Sequence, residues 1–126
     1  MSTRELIEGY NDAWNRQDVD AIHAQHHPDI VFHNHTADER AEGAEAVRAH
    51  IAQIFANNPT LRFSTRSLQT GDDFAVCEWT ATLERDGKQL EWDGVDVFPI
   101  EDGKIKRKDV YSGFGVARDA GPSAAE

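Results

Sequence analysis

Apolar positions near the start of the chain recur at helical spacing. Leu6, Ile7, Tyr10, Ala13 and Trp14 form one stripe, and Ser2 with Glu5 three residues on makes a capping box, so a first helix is predicted from about Thr3 to Arg16. The run Asn15-Arg16-Gln17-Asp18 breaks the stripe, and Asp18 can cap a short second helix from Val19 to about His26, ended by His27-Pro28-Asp29. Ile30 to His35 reads as a short strand, with Ile30, Phe32 and Asn34 on one face and Val31, His33 and His35 on the other. Thr36 to Glu42 is polar and loop-like. Helical spacing returns from Gly43 to Asn57 through Val47, Ile51, Ile54 and Phe55, until Asn57-Asn58-Pro59 stops it.

Beyond Pro59 the period changes from helical to alternating. Leu61 to Leu68 alternates weakly, and Gly71-Asp72-Asp73 makes a turn. Phe74 to Arg85 puts Ala75, Cys77, Trp79, Ala81 and Leu83 on one face. Asp86-Gly87 turns the chain into a strand that carries Trp92, Gly94, Asp96 and Phe98 on one face, with Val95 and Val97 on the other. Asp102-Gly103 turns it again into a last strand, from Lys104 to about Phe114. In that strand Arg107, Asp109 and Tyr111 share one face, while Lys106, Lys108, Val110 and Ser112 share the other. Ile105 and Tyr111 favour the first set as inward, the family resemblance given below favours the set with Val110, and a one-residue bulge would reconcile the two. Helices first and antiparallel strands after is an α+β order, in which the helices cover the one apolar face of the sheet. A single domain is expected over residues 1–114, with a flexible tail over 115–126.

Composition narrows the partners. The 126 residues carry 23 acids against 13 bases, a formal charge of −10, which argues against nucleic acid or an anionic membrane as partner. The short basic run Lys104 to Lys108 reads as a solvated strand edge. The one cysteine, Cys77, excludes an intrachain disulfide and a cysteine zinc cluster. No apolar run approaches a membrane span and no signal pattern opens the chain, so a cytoplasmic protein is expected.

Asp96 is the outstanding residue. A carboxylate between Trp92 and Phe98 on a buried face must be paired, protonated or used in chemistry. The element order, the phrase GVDVFPIEDGKIKRKDVY and the opening YNDAWNRQDVDAI resemble the NTF2-like cone-fold superfamily over residues 3 to 114, and within it the SnoaL-like polyketide cyclases and ketosteroid isomerases. The resemblance implies three N-terminal helices packed on a curved, mostly antiparallel sheet, a homodimer, and no cofactor. It also implies that Tyr10 and a protonated Asp96 donate hydrogen bonds to a substrate oxyanion, the pair that ketosteroid isomerase exemplifies. The isomerase general base falls on Asn34, an amide that cannot abstract a proton. His33 or His35 could replace it, if a bend turned one inward, and in SnoaL-like cyclases an acid of the last strand takes part, for which Asp109 is the candidate. His33-x-His35, with His26-His27 nearby, also admits a metal if Asp38 or Asp109 completes the set; the geometry is not fixed by spacing, and no metal is expected.

In such a cone Trp14, Phe32, Ile54, Phe55, Trp79, Leu83, Trp92 and Phe98 would line a cavity, with Tyr10, Asn34 and Asp96 as its polar groups and Tyr111 as a further contact. The expected function is proton transfer, by isomerisation or aldol-type cyclisation, on a hydrophobic carbonyl compound. A non-catalytic binding protein with the same pocket is the alternative. Epoxide hydrolysis is disfavoured because Glu78-Trp79-Thr80-Ala81 lacks the Arg and Asp of the limonene epoxide hydrolases, and an assembly module is disfavoured by the aromatic pocket.

Overall fold

A computed structural model describes residues 1–122 of the chain. Helix α1 (Thr3–Arg16) begins at the expected capping box, with Glu5 N donating to Ser2 Oγ (3.1 Å) and Ser2 N to Glu5 Oε1 (3.0 Å). It buries Leu6, Ile7, Tyr10, Ala13 and Trp14, the stripe read from spacing. Asp18 caps α2 (Val19–Ala24) by accepting from Ala21 N. This helix is shorter than expected, because His26 already pairs with the last long strand. Strand β1 therefore runs His26–Asn34, four residues earlier at its start than its alternation suggests, with a register shift between His26 and Val31.

The polar stretch expected as a loop holds a short edge strand, β2 (Glu39–Glu42), in register with β1. Helix α3 (Ala44–Asn57) follows from Gly43, whose φ of 90° suits glycine, and buries Val47, Ile51 and Phe55. The strands β3 (Arg62–Thr70), β4 (Phe74–Arg85), β5 (Lys88–Glu101) and β6 (Lys104–Ser112) form an antiparallel meander, and β6 lies parallel to β1. The sheet order is β2-β1-β6-β5-β4-β3. The α+β cone expected from the element order is present: three helices cover the inner face of a curved, mostly antiparallel sheet. No helix among the described residues is long and apolar enough to cross a membrane.

The segment after Phe114 corrects the expected tail. Phe114–Val116 forms a 3₁₀ turn, and β7 (Arg118–Pro122) pairs with the Lys88–Glu91 end of β5, which β6 does not reach. Ion pairs from Arg118 to Glu91 (2.8 Å) and Asp93 (3.2 Å) help hold it there. The rest of that expected tail, 123–126, lies outside the described residues.

Two local devices shape the interior. The Asn15 side chain bridges α1 to the edge strand β3, donating to Phe63 O (2.9 Å) and accepting from Phe63 N (2.8 Å). On the inner face, Trp79 lies directly over Gly94, its cross-strand partner. A Cβ built on Gly94 would stand 2.3 Å from the indole ring. Gly94→Ala is therefore expected to cost about 1–3 kcal/mol, since the ring must leave its packed position. Chemical denaturation measures that loss. An unchanged midpoint would show that Trp79 has another place to go.

Candidate functional site

A cavity of about 490 Å³ opens between the helices and the inner face of the sheet. Its apolar walls are Trp14, Phe32, Ile54, Leu61, Phe63, Leu83, Trp92 and Val110, with Phe114 beside them. Asn34, Glu39, Arg85 and Lys108 supply its principal polar groups. A recess of about 20 Å³, sharing Trp14, Phe63 and Lys108 with the cavity, continues toward Thr65, Cys77, Trp79 and Asp96. The apolar lining is the alternation of the sequence made three-dimensional, because inward residues of β1, β4, β5 and β6 meet the stripes of α1 and α3.

Lys108 is the residue that sequence reasoning placed wrongly. It is only 6% exposed, where a solvated strand edge was expected. Its ammonium stands 3.5 Å from Asp96 Oδ2 and 4.0 Å from the centre of the Trp14 ring, with Tyr10 and Phe98 also flanking it. The cause is the bulge. Val97 pairs with Asp109 but Ile100 with Ile105, so β6 spends one extra residue between the two pairings. Ile105 and Lys108 thereby both face inward, three positions apart, and Val110 follows Lys108. Burial pushes the Asp96 carboxyl above its ordinary value, against the pull of Lys108, as desolvation predicts. Burial likewise lowers Lys108, against the pull of Asp96.

Asp96 thus faces inward as its alternation requires, but it lines the recess and not the main cavity. Asp96 Oδ1 and the indole Nε1 atoms of Trp14 and Trp79 are buried without an aligned hydrogen bond, the Trp79 indole lying nearest the Asp96 carboxyl and the Trp14 indole nearest the Tyr10 hydroxyl. Tyr10 lines neither space. It is fully buried, and its hydroxyl shares a 2.8 Å hydrogen bond with His26 Nε2. Burial raises the Tyr10 phenol, and burial with the Lys108 and His23 charges pushes His26 down to about 3, so both stay neutral across the physiological range. The expected Tyr10–Asp96 donor pair is not brought together in the cavity. His26, which sequence reasoning left in a helix end, is the partner that holds Tyr10.

Of the other expected cavity residues, Trp14, Phe32, Asn34 and Trp92 line the main space, and Trp79 the recess. Phe55 and Phe98 are core: Phe55 packs edge-on against Trp14, and Phe98 against Tyr10. His33, His35, Asp109 and Tyr111 sit on the outer face of the sheet, away from the cavity. Asp109 accepts from both Nε and Nη2 of Arg107 (3.1 and 2.9 Å), and His35 Nε2 is 2.9 Å from Asp109 Oδ1. Partial burial raises Asp109, yet these two partners outweigh it and hold the carboxyl below its ordinary value.

Glu39 is a cavity residue that the polar-loop reading hid. On β2 it pairs directly with Asn34, and directly paired residues of antiparallel strands share a face. Its carboxylate lies 3.3 Å from Nε2 of His50, within ion-pair distance though out of hydrogen-bonding alignment. The His50 ring packs in turn against Phe32, 5.1 Å between centroids. Half-exposed Glu39 thus marks the open end of the cavity, and buried Lys108 the closed end. Their backbones stand roughly 12 Å apart across the sheet, two strand spacings and two residues.

The SnoaL-like domain model matches residues 7–108. No protein of curated function matches the chain in sequence. Among solved structures, an uncharacterised cystatin-fold protein from Novosphingobium aromaticivorans is 26% identical, with 87% of this chain and 97% of that one covered and a TM-score of 0.76. A proposed SnoaL-like polyketide cyclase from Jannaschia sp. CCS1 is 19% identical, covering 89% and 85%, with a TM-score of 0.78. A proposed ketosteroid isomerase from Kribbella flavida is 20% identical, covering 87% and 76%, with a TM-score of 0.73. The last two likenesses speak to the fold alone.

Proposed function

The chain belongs to the SnoaL-like domain family, and from that premise we propose that it is an enzyme of proton transfer on a hydrophobic carbonyl compound. Lys108 would hold the carbonyl oxygen and stabilise the enolate that forms, and Glu39 would move the proton. One observation carries this reading: a buried ammonium, matched by one buried carboxylate, closes the inner end of a mostly apolar cavity. Withdrawing two charges from water costs several kcal/mol each, and a pair of this kind seldom repays that in stability. Perturbed titratable groups in a cleft are where chemistry is expected.

In the reaction, Glu39 takes a proton from the carbon next to the carbonyl, the electron pair moves onto the oxygen, and Lys108 meets the negative charge. Return of the proton to the far carbon of a β,γ-unsaturated ketone gives the conjugated isomer. Attack of the enolate carbon on a second carbonyl of the same molecule gives a ring, and the new alkoxide takes back the proton held by Glu39. Both outcomes share one intermediate, so the site supports either.

A naphthol, which mimics the enolate, tests the reading. Its anion is expected to bind the wild type, with the naphthol's own ionisation displaced to lower pH by the Lys108 ammonium. Lys108→Met should weaken binding by about 1.5–3 kcal/mol, the worth of a charged hydrogen bond. Tyr10→Phe should leave it unchanged, because Tyr10 is spent on His26. Equal binding to wild type and Lys108→Met would remove Lys108 from the site. Loss on Tyr10→Phe alone would return the oxyanion role to Tyr10. Binding of a β,γ-unsaturated ketone with no rise in conjugated-ketone absorbance would favour a binding protein.

A further inference from the structure

Three residues that the cavity does not use converge on the outer face of the sheet. His33 faces outward on β1, His35 one residue past the end of that strand lies on the same side, and the parallel register with β6 sets Asp109 directly beside His33. One donor atom from each of the three lies within 4.8 Å of the others. The His33 and His35 rings are 3.7 Å apart between centroids, and His35 stacks on Tyr111 at 4.4 Å with the planes 8° apart. The imidazoles are therefore held in place by ring packing, and the carboxylate by the Arg107 fork.

We infer that His33, His35 and Asp109 form a binding site for a divalent transition metal, Zn2+ in the first place, with its fourth position open to water. An ion-pair network accounts for Asp109, Arg107 and His35 but leaves the His33 imidazole with ring packing alone, since its side chain makes no hydrogen bond among the described residues. A metal uses all three. Tetrahedral zinc with bonds of about 2.0–2.1 Å spaces its donors roughly 3.3 Å apart. The 2.9 Å between His35 Nε2 and Asp109 Oδ1 has to open only slightly to admit it. Arg107 bonds both oxygens of the same carboxylate and so acts as an outer partner that orients the acid, while the second lone pair of Oδ1, now turned to His35, is the one the metal would take. Two imidazoles and one carboxylate suit Zn2+, Ni2+ or Cu2+ and not Mg2+ or Ca2+, which need more oxygens. The site lies across the sheet from the cavity and is independent of the chemistry proposed there.

The test uses untagged full-length protein stripped with a chelator and titrated calorimetrically with Zn2+. Co2+ serves as a second probe, because tetrahedral cobalt absorbs strongly in the visible. One equivalent per chain is expected, with a thermal midpoint that rises as the metal loads. His33→Ala and His35→Ala should each weaken binding at least about tenfold, as loss of even an outer partner does. Both residues are half-exposed, and a melting curve without metal checks that the variants fold. His27→Ala should bind as the wild type does, although His27 forms a second cluster with Glu101 and Asp102. Mg2+ should give no heat. The inference is overturned if Zn2+ does not bind, if binding survives His33→Ala, if it is lost with His27→Ala, or if Mg2+ binds equally.

Discussion

Asp96→Leu is expected to destabilise the protein by about 3–5 kcal/mol, because it strands the Lys108 ammonium in an apolar site without a counter-charge. The double variant Asp96→Leu/Lys108→Met should recover that loss and go beyond it, ending level with the wild type or about 1–4 kcal/mol above it. The asymmetry follows from what each change leaves behind. The single change removes one charge and keeps the burial cost of the other. The double change removes both costs and fills the space with carbon. Urea denaturation of the three proteins at neutral pH decides the matter. If both variants lose the same stability, the pair was held by packing and its charges counted for little.

The pH dependence of the same comparison has a definite sign. Asp96 is raised in the folded state, so between its ordinary value of 3.8 and its folded value the native protein keeps a proton that the unfolded chain has lost. The stability Asp96 contributes is complete below 3.8 and is lost as pH rises through its folded value. Lys108 is lowered, so the native protein releases a proton before the unfolded chain does at 10.5. Its contribution is complete above 10.5 and is lost as pH falls through its folded value. The pair therefore burdens the wild type most between the two windows. The advantage of the double variant should peak there and shrink toward both acid and alkali. An advantage that does not vary with pH would mean that neither group titrates differently in the folded and unfolded states.

The bulge that buries Lys108 also marks how far the sequence could be read. Alternation placed the inward residues of β4 and β5 correctly, from Ala75 to Leu83 and from Trp92 to Phe98, because each strand keeps one parity along its length. The last strand changes parity inside itself. Ile105 and Lys108 share a face only because one residue is extra, and neither residue type announces that. The conflict between Ile105 and Val110 in a smooth strand was the one signal, and it called for the bulge without saying which lysine would be swallowed. Glu39 was harder to see. Its strand is four residues of polar sequence whose edge position comes from register with β1, a long-range fact with no local pattern. Tyr10 shows the opposite failure. Its place on a buried stripe was plain, but its hydrogen-bond partner His26 belongs to a strand start that looked like a helix end. The outward pairing of His33 with His35 was legible from period 2. Their meeting with Asp109 depended on the parallel register of β1 and β6, which no turn signal encodes.

Register also links the amide at Asn34 to the proton-transfer proposal. Asn34 occupies the position where the isomerase resemblance puts a base, and Glu39 stands directly opposite it on the same face, with side-chain roots about 4.5–5.5 Å apart. A carboxylate on either strand reaches nearly the same part of the cavity. Glu39→Gln is therefore expected to lower kcat for a β,γ-unsaturated ketone by about 10²–10⁴-fold, the usual worth of a positioned base, with little change in naphthol affinity. Asn34→Asp in the Glu39→Gln background should restore part of the rate by returning a carboxylate from the neighbouring strand. In the wild-type background the same Asn34→Asp change crowds two acids together and should raise the pH at which the rate becomes maximal. Steady-state rates across pH for the four proteins separate the cases. Full activity in Glu39→Gln would take the base away from β2. A Glu39→Gln enzyme that is dead and stays dead with Asn34→Asp would mean that Glu39 holds the open end of the cavity through His50 and does not move the proton.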